Sequence, residues 1–509
     1  MAKALVAAGS PGRLSPGLVR LLTSTSIVLA TIMQTLDSTI ANVALPHMQG
    51  SMSASLEQIS WMLTAYMVGT AVFTPLTGFA ERRLGRKQVF MYSVIGFTIA
   101  SFLCGTANSL VEIVGWRFVQ GATGAAIIPL CQSIMMDLFP PAQRGSAMAL
   151  WGIGVMIGPI VGPTLGGYLT DEFNWRWVFF INVPIGIISA IGILRFLPDT
   201  PIDRAKRFDW FGFLLLSVAL CSLQIMLDRG QHREWFESTE IVIEALIAAA
   251  AFWMFVVHMF TSSNPLISPR TFRDTNFVVG LAIMFLLGVV ILATMALLPT
   301  FLQTLLGYPV QVAGWLLAPR GLGTMLGMYM IGQLSRIIPP HRIIGLGVIL
   351  MAGSLWKMSG FNFNTSVTEI AVSGLIQGFG MGFVFVPLSL VTFYTLEPRY
   401  RTEGASMFSL VRNIGGAIGL SVVISYLSRL VQTNHAILVE HVNPFSNAGE
   451  MMASSVGALG AQAIPMMELE VARQATMLAY VQDFQFMAIS VMAAFPLLLL
   501  LRAPDRPLK

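Results

Sequence analysis

Two residues of opposite charge lie inside apolar stretches near the start of the chain. Asp37 lies about eight residues before the end of the stretch 21–45, and Arg117 about seven residues into the stretch 110–134. At about 1.5 Å per residue, both side chains lie roughly 12 Å from the same end. A carboxylate and a guanidinium at equal depth can pair, and such a carboxylate can load and release protons. The alternative is a structural ion pair that holds two helices together.

A second pattern consists of glycines repeated every four residues. Gly154, Gly158, Gly162 and Gly166 fall on one face of a helix, so a neighbouring helix could pack there backbone to backbone. Proline inside a helix removes a hydrogen bond and permits a bend. The run therefore predicts a close helix contact with a swivel point, although packing alone would explain the glycines. The other residues of this motif are Pro159, Pro163 and Gly167.

A third pattern is a short basic loop with glycines at fixed places. Gly78 and Gly85 permit a tight turn and a close approach between helices. A generic basic anchor would explain the charges but not the glycine spacing. The charged residues of this loop are Glu81, Arg82, Arg86 and Lys87.

Several polar residues inside apolar stretches could line a substrate cavity. They are Asn42, Gln120, Gln377, Arg412 and Asn413. The six histidines have no metal-ligand spacing, and the sequence has no nucleotide-binding phosphate loop. We therefore expect no metal, no cofactor, no catalytic residues and no enzymatic activity.

The amino-acid composition indicates what kind of helices hold these residues. Of the 509 residues, 55% are hydrophobic and only 11% are charged, whereas soluble chains carry about 25% charged residues. This excludes a soluble enzyme, a disordered chain and a nucleic-acid-binding protein. The sequence predicts an all-α polytopic membrane protein with the lipid bilayer as its environment.

Counting stretches of about 20 apolar residues predicts fourteen membrane spans. Their approximate ranges are 21–45, 59–79, 88–108, 110–134, 145–169, 177–196, 210–228, 241–260, 276–303, 311–334, 342–360, 367–394, 404–428 and 480–501. With a cytoplasmic N-terminus, 21 of the 30 Lys and Arg lie inside and six outside. Because cytoplasmic loops are rich in Lys and Arg, this split predicts that both termini are cytoplasmic.

An internal repeat divides the chain. Pro129, Pro140 and Gly158 reappear 258 residues later as Pro387, Pro398 and Gly416. Parallel repeats of six helices build one large transporter fold. We predict a first six-helix bundle at 1–196, two linker helices at 197–275 and a second bundle at 276–509. The second bundle includes a polar outer loop at 430–479, whose later part, from Met451 to Met477, could form an amphipathic helix.

Several strings in this sequence resemble one family closely. LDSTIANVALP at 36–46, GFAERRLGRK at 78–87, RFVQGATGAA at 117–126 and GIGVMIGPIVGPTLGG at 152–167 are similar to motifs of the fourteen-helix drug:proton antiporters of the major facilitator superfamily. WRWVFFINVPIG at 175–186 and LQIMLDRG at 223–230 look like EmrB-type multidrug exporters. That family usually has Asp at the position of Glu81.

The resemblance implies a major facilitator fold and proton-driven export of hydrophobic or amphipathic compounds (drugs, uncouplers, fatty acids) by alternating access. It implies the bacterial inner membrane, a periplasmic adaptor (membrane fusion protein) and an outer-membrane channel. In the family, the 78–87 loop latches the outward-facing state, and the glycine run of helix five prevents proton leak. One alternative is a nutrient:proton symporter of the same fold, which the antiporter motif at 152–167 disfavours. Another is a membrane-embedded enzyme or sensor, but the sequence has no nucleophile constellation, no metal ligands and no soluble signalling domain.

Overall fold

A computed structural model describes residues 15–140, 143–200, 202, 208–231, 233–335, 337–441 and 463–501. In these ranges the chain is helical and contains no strand. We number the helices in chain order. They are α1 Pro16–Ser51, α2 Leu56–Phe73, α3 Thr77–Leu84, α4 Arg86–Thr106, α5 Leu110–Gly124, α6 Ile127–Leu138, α7 Arg144–Glu172, α8 Trp177–Phe180, α9 Asn182–Phe196, α10 Trp210–Arg229, α11 Thr239–Thr261, α12 Thr275–Thr300, α13 Val310–Leu334, α14 Pro340–Met358, α15 Val367–Thr392, α16 Arg401–His441, α17 Ala463–Met492 and α18 Ala494–Leu498.

Each predicted span corresponds to a helical segment of this structure. Twelve segments of the described chain are long and apolar enough to cross a membrane, and some of them combine two helices, such as Leu110–Leu138. The other two predicted spans are α13 and α14, with 25 and 19 residues. Both are less hydrophobic than the twelve, and both carry charge, with Arg320 inside α13 and Arg342 and Lys357 near the two ends of α14. The predicted all-α polytopic fold is confirmed.

Helix starts follow local capping rules. Ser55 and Gln58 form a reciprocal capping box at the start of α2, and Ser366 and Glu369 form one at the start of α15. Asp274 accepts a hydrogen bond from the backbone of Phe277 at the start of α12. These caps satisfy backbone N–H groups that would otherwise be unpaired at the membrane surface.

The internal repeat reappears in the packing. In the first half, α1 packs on α7, α2 on α5 and α4 on α9. The second half repeats these pairs as α12 on α16, α13 on α15 and α14 on α17. Helices α10 and α11 pack on each other. The residue boundaries 196/197 and 275/276 between the halves and the linker pair remain a prediction.

The predicted outer segment 430–479 is helical at both ends, and its place outside the membrane stays a prediction. Helix α16 continues through 430–441, and α17 already begins at Ala463, so 463–479 is continuous with the last span. The remaining residues, 442–462, lie outside the described residues. With 41 residues α16 is about 60 Å long, whereas the bilayer core is about 30 Å thick. Polar composition ends a membrane span without ending the helix, because the backbone hydrogen bonds of a helix are internal and can continue outside the bilayer.

Candidate functional site

Asp37 lies at the centre of a buried polar cluster inside the first half. Its Oδ2 accepts a hydrogen bond from Arg117 Nη1 at 2.7 Å. Its Oδ1 accepts from Gln120 Nε2 at 2.9 Å and from Asn182 Nδ2 at 2.8 Å. The predicted pairing of Asp37 with Arg117 is therefore confirmed, and both side chains are fully buried.

The side chains of the Asp37 cluster come from α1, α5 and α9, and a residue of α4 forms a further hydrogen bond to the cluster. Arg117 and Gln120 are one turn apart on α5, and Arg117 Nη1 also donates to Gln120 Oε1 at 2.8 Å. Asn182 begins α9 and donates to Ser101 Oγ on α4 at 3.0 Å. Gln120 thus belongs to the Asp37 cluster, whereas the sequence suggested a substrate cavity.

The Asp37 side chain is well supplied with hydrogen-bond donors. The carboxylate accepts three hydrogen bonds, one of them from a cation. The guanidinium also lies 4.4 Å from the centre of the Tyr66 ring, a cation–π contact. Arg117 Nε and Nη2 have no hydrogen-bond partner among the described residues. The cation is therefore only partly satisfied, and its remaining stabilisation depends on the charge of Asp37.

A second polar cluster lies at the end of the bundle that carries the 78–87 loop, here called the basic face. Glu81 Oε1 accepts from Arg86 Nε at 2.5 Å, and Arg86 Nη1 donates to Asp137 Oδ2 at 2.9 Å. The other oxygen of Asp137 accepts from Arg401 Nη1 of the second half at 2.6 Å. Four alternating charges thus connect the two halves across the basic face.

A parallel connection joins Arg82 to Glu403. Arg82 Nη1 lies 2.9 Å from Glu403 Oε2, and the Glu403 side chain is only 3% exposed. The backbone N–H of Ser268 donates to the other carboxylate oxygen at 2.5 Å. Gly78 packs closely on Glu403, since a Cβ added to Gly78 would lie 3.0 Å from the Cβ of Glu403.

The remaining predicted residues of the 78–87 loop, Gly85 and Lys87, form no ion pair among the described residues. Gly85 has a φ of +91°, a conformation that residues with a Cβ rarely adopt, so the turn between α3 and α4 requires glycine. Lys87 is half-buried and forms no ion pair with any residue that the structure describes. Nearby, Ser133 and Thr402 share a hydrogen bond of 2.8 Å between the halves.

The glycine run of α7 faces α1. A Cβ on Gly158 would lie 2.4 Å from the carbonyl carbon of Thr35, and one on Gly162 would lie within 3.4 Å of Thr39 and Ile40. Thr39 Oγ1 donates to the carbonyl oxygen of Gly158 at 3.0 Å. Gly154 and Gly166 also meet α1 closely. The predicted backbone-to-backbone contact is confirmed, and its partner is the helix that carries Asp37.

Three residues of the motif do not belong to this contact surface. Pro163 is exposed and Pro159 is half-buried, since both follow their glycines by one residue and turn away from α1. A Cβ on Gly167 would meet no atom closer than 3.9 Å, from the Val43 side chain.

The residues predicted to line a cavity lie in different surroundings. Asn42 is exposed, and Gln120 belongs to the Asp37 cluster. Arg412 contacts its neighbours Asn413 and Ser409 at 3.4–3.5 Å and has no acidic partner among the described residues. Gln377 is buried on α15, where both of its amide atoms lack a described partner. A shared substrate cavity for these residues stays a prediction.

Sequence reasoning missed several members of both clusters. Ser101 and Asn182 support Asp37, while Asp137, Arg401 and Glu403 complete the basic face. One signal was available for Glu403. The repeat places this residue at the start of the helix that corresponds to α7, where an acidic side chain can face the cationic loop. The described residues contain no group of three His, Cys, Asp or Glu that could hold a metal.

Comparison with known proteins agrees with this geometry. Residues 27–420 match the family described as the Major Facilitator Superfamily. The chain belongs to the major facilitator superfamily. The family predicted from the motifs is thereby confirmed, and it indicates a multi-pass membrane transporter rather than an enzyme.

Two relatives place the chain within the superfamily. The multidrug export protein EmrB of Escherichia coli (strain K12) is 36% identical over 438 residues, covering 86% of this chain and 85% of EmrB. The fatty acid resistance protein FarB of Neisseria gonorrhoeae is 35% identical over 423 residues, 83% of each protein. The chain is therefore an EmrB-like member of the superfamily.

Solved structures show the same fold. The crystal structure of the human organic anion transporter MFSD10 (TETRAN) has a TM-score of 0.61 at 14% identity, covering 93% of this chain and 99% of that one. The proton:xylose symporter XylE has a TM-score of 0.60 at 12% identity, covering 94% and 96%. At such low identity these likenesses concern the fold alone.

Proposed function

We propose that this protein is a proton-driven exporter of hydrophobic or amphipathic small molecules, including drugs, uncouplers and fatty acids. The observation that carries the proposal is Asp37, a fully buried titratable side chain beside a buried cation. The names of the relatives EmrB and FarB support export of drugs or fatty acids. No cofactor is part of the proposal, because the energy comes from a proton gradient.

The Asp37 cluster offers a route to coupling. When a proton binds Asp37, the ion pair with Arg117 is lost, and the uncompensated cation is costly while it stays buried. Movement of α5 relative to α1 would then expose Arg117 to water or to the substrate. Release of the proton would restore the pair. The proton thereby biases the equilibrium between two arrangements of these helices.

The basic face supplies the matching gate. Its connections Arg82–Glu403 and Asp137–Arg401 join the two halves, so substrate entry from this side requires that both break. Because Lys and Arg concentrate here, we place this face in the cytoplasm, with both termini on the same side. The described arrangement then corresponds to a state closed toward the cytoplasm of a bacterial inner-membrane protein.

Transport into inverted membrane vesicles tests the proposed function. Ethidium and a dansylated fatty acid serve as probes of opposite charge. We expect an imposed proton gradient to drive uptake of at least one probe, and an uncoupler to abolish it. Equal uptake with and without the gradient, or uptake of neither probe, would contradict proton-driven export.

The basic-face gate gives a specific prediction for Glu403→Gln. The substitution removes the charge that pairs with Arg82, and a buried hydrogen bond between charged groups contributes about 1.5–3 kcal/mol. We expect roughly tenfold or faster labelling of Ser133→Cys by a thiol reagent, in a background without Cys104, Cys131 and Cys221. Ser133 reports on the gate because it is buried against Thr402 of the other half.

The matched control for this gate is Glu397→Gln. Glu397 pairs with Arg399 at 2.6 Å, but both side chains are about 60% exposed, where such pairs contribute about 0–1 kcal/mol. Its labelling rate should equal that of the parent. Equal rates for Glu403→Gln and Glu397→Gln would exclude Glu403 as a gate residue.

We further propose that the projecting ends of α16 and α17 bind the helices of a periplasmic adaptor, which passes substrate to an outer-membrane channel. The two helices pack on each other, and Asn434 Nδ2 donates to Gln482 Oε1 between them at 2.9 Å. Met466 and Leu469 near the start of α17 are exposed. Exposed apolar side chains on a projecting helix pair are suited to contact with another helical protein.

Replacement of Met466 and Leu469 by Ser tests the adaptor contact. We expect unchanged export in vesicles, where no adaptor is needed, but at least a fourfold loss of drug resistance in cells that carry the adaptor. Glu468→Gln, an exposed change on the same helix, should leave both unchanged. Full resistance with both serines at matched expression would rule out docking at this surface.

A further inference from the structure

A second carboxyl group is buried inside the second half, at Asp483 of α17. Its side chain is fully buried, and neither oxygen has a hydrogen-bond partner among the described residues. Aromatic rings flank it along the helix. Tyr480 and Phe484, on the same helix, both pack against the ring of Phe301, with centroid distances of 5.2 and 6.0 Å. Asp483 therefore differs from Asp37, which accepts three hydrogen bonds.

Such surroundings determine the charge state of the group. An ionised carboxylate without donors costs several kcal/mol when it is removed from water, whereas the neutral acid costs much less. In the described state Asp483 therefore holds a proton. We propose that Asp483 is a second proton-binding site of the transport cycle, which adds one exchanged proton per substrate. This inference rests on the proposed proton-driven export.

The internal repeat relates this position to the first-half cluster. Asn182 lies on the last helix of the first half and donates to Asp37, and Asp483 lies on the last helix of the second half. The offset of 258 residues moves Asp37 to Met295, next to the buried Thr294. Thr294 Oγ1 lies 3.8 Å from the sulfur of Met487, one turn after Asp483. Each half thus places one acid where its first helix meets its last long helix. Asp37 lies on the first helix of its half, whereas Asp483 lies on the last long helix of its half.

The second-half acid lacks a counter-ion. The same offset moves Arg117 to Leu375, so the cation of the first half has no equivalent. Helix α12 carries no charged residue. None of the charged or titratable side chains that the structure describes on α14, α16 or α17 bonds to Asp483. These residues are His341, Arg342, Lys357, Arg401, Glu403, Arg412, Tyr426, Arg429, His435, Glu440, Glu468, Glu470, Arg473 and Tyr480.

A counter-ion stabilises a carboxylate permanently, and its absence makes ionisation depend on water. The O–H bond of Asp483 can break only when a water molecule reaches the group, accepts the proton and hydrates the carboxylate that remains. The residue before it, Gln482, pairs with Asn434 in the seam between α16 and α17, which continues into the projecting ends of both helices. Opening of this seam gives water access. Asp483 thus exchanges its proton in one state and holds it in another.

Infrared spectroscopy of the purified protein tests the charge state without transport. Wild type at neutral pH should show the carbonyl stretching band of a protonated carboxylic acid, and Asp483→Asn should lose it. Asp483→Glu should shift the band, which assigns it even if Asp483→Asn does not fold. Asp37→Asn should keep the band, because this substitution leaves Asp483 in place. A missing band in wild type, or a band unchanged by substitution of Asp483, would overturn the proposal.

The substrate gradient sustained by a fixed proton gradient tests the transport role. Proteoliposomes with the membrane potential clamped to zero receive a gradient of one pH unit, and accumulation of the transported probe is measured. Each exchanged proton contributes about tenfold. We expect about 100-fold accumulation in wild type and about tenfold in Asp483→Asn.

This measurement distinguishes failure of the second proton site from failure of the proposed proton-driven export. An equal accumulation ratio in wild type and Asp483→Asn would refute the second proton site and leave the proposed export intact. A wild type without any proton-coupled accumulation would refute the export proposal, and the transport role of Asp483 with it. The infrared result would then still decide whether the group holds a proton.

Discussion

Asp37→Asn is expected to reduce gradient-driven export to the level of vesicles without the protein. The amide keeps the shape of the carboxylate and can accept a hydrogen bond from Arg117, but it cannot bind and release a proton. Asn182 can turn its amide to accept from the new N–H₂ group, because its Oδ1 has no partner among the described residues. Gln120 Oε1 keeps its hydrogen bond from Arg117. Export is measured in inverted vesicles at matched protein content.

The control for this prediction is Asp171→Asn, a carboxylate that is 65% exposed outside the cluster. It should export at the parental rate. Because Asp37→Asn leaves the Arg117 cation buried without its counter-charge, we also expect a lower melting temperature in detergent. Gradient-driven export at the parental rate in Asp37→Asn would show that the coupling proton uses another group.

Depth along a span could be predicted from the sequence, whereas helix rotation could not. Equal depth was enough to pair Asp37 with Arg117, because two opposite charges in an apolar bundle have few alternatives. Asn182 and Ser101 are neutral, so nothing in their own stretches distinguishes them from ordinary packing residues. Their role depends on which face of each helix points inward, and that is set by the packing of all the helices together.

The basic face shows a related limit. Its loop could be located from the glycine and arginine spacing, but the contact partners lie more than 300 residues away in the case of Glu403. A local pattern contains only one side of a long-range contact. The repeat supplied the missing geometry in principle, because it relates the start of α16 to the start of α7.

Hydropathy predicted the membrane spans and missed the helix ends. It measures transfer into lipid, so it located the spans at 21–45 and 404–428 within longer helices. The extension of α16 to His441 and the early start of α17 depend on contacts such as Asn434 with Gln482, which hydropathy does not measure. Hydropathy also did not identify Asp483, which lies at the beginning of its predicted span and belongs to no recognised motif.

The glycine run of α7 leads to the second large effect, that of Gly158→Ala. A Cβ at this position would lie 2.4 Å from the carbonyl carbon of Thr35 and 2.6 Å from the backbone nitrogen of Leu36. Both atoms are backbone, so α1 itself must move, and overpacking of this kind costs about 1–3 kcal/mol. Asp37 follows directly after these residues and moves with them.

We therefore expect Gly158→Ala to lower the rate of gradient-driven export by about 100-fold, since a displacement of about 1 Å can cost that much in a positioned site. Gly167→Ala is the matched control, because its new Cβ would meet only the Val43 side chain at 3.9 Å. Melting temperature and vesicle export are measured for both. If Gly158→Ala retains export equal to that of Gly167→Ala, then close packing of α7 on α1 does not hold Asp37 in place, and the glycines serve only to let the helices pass.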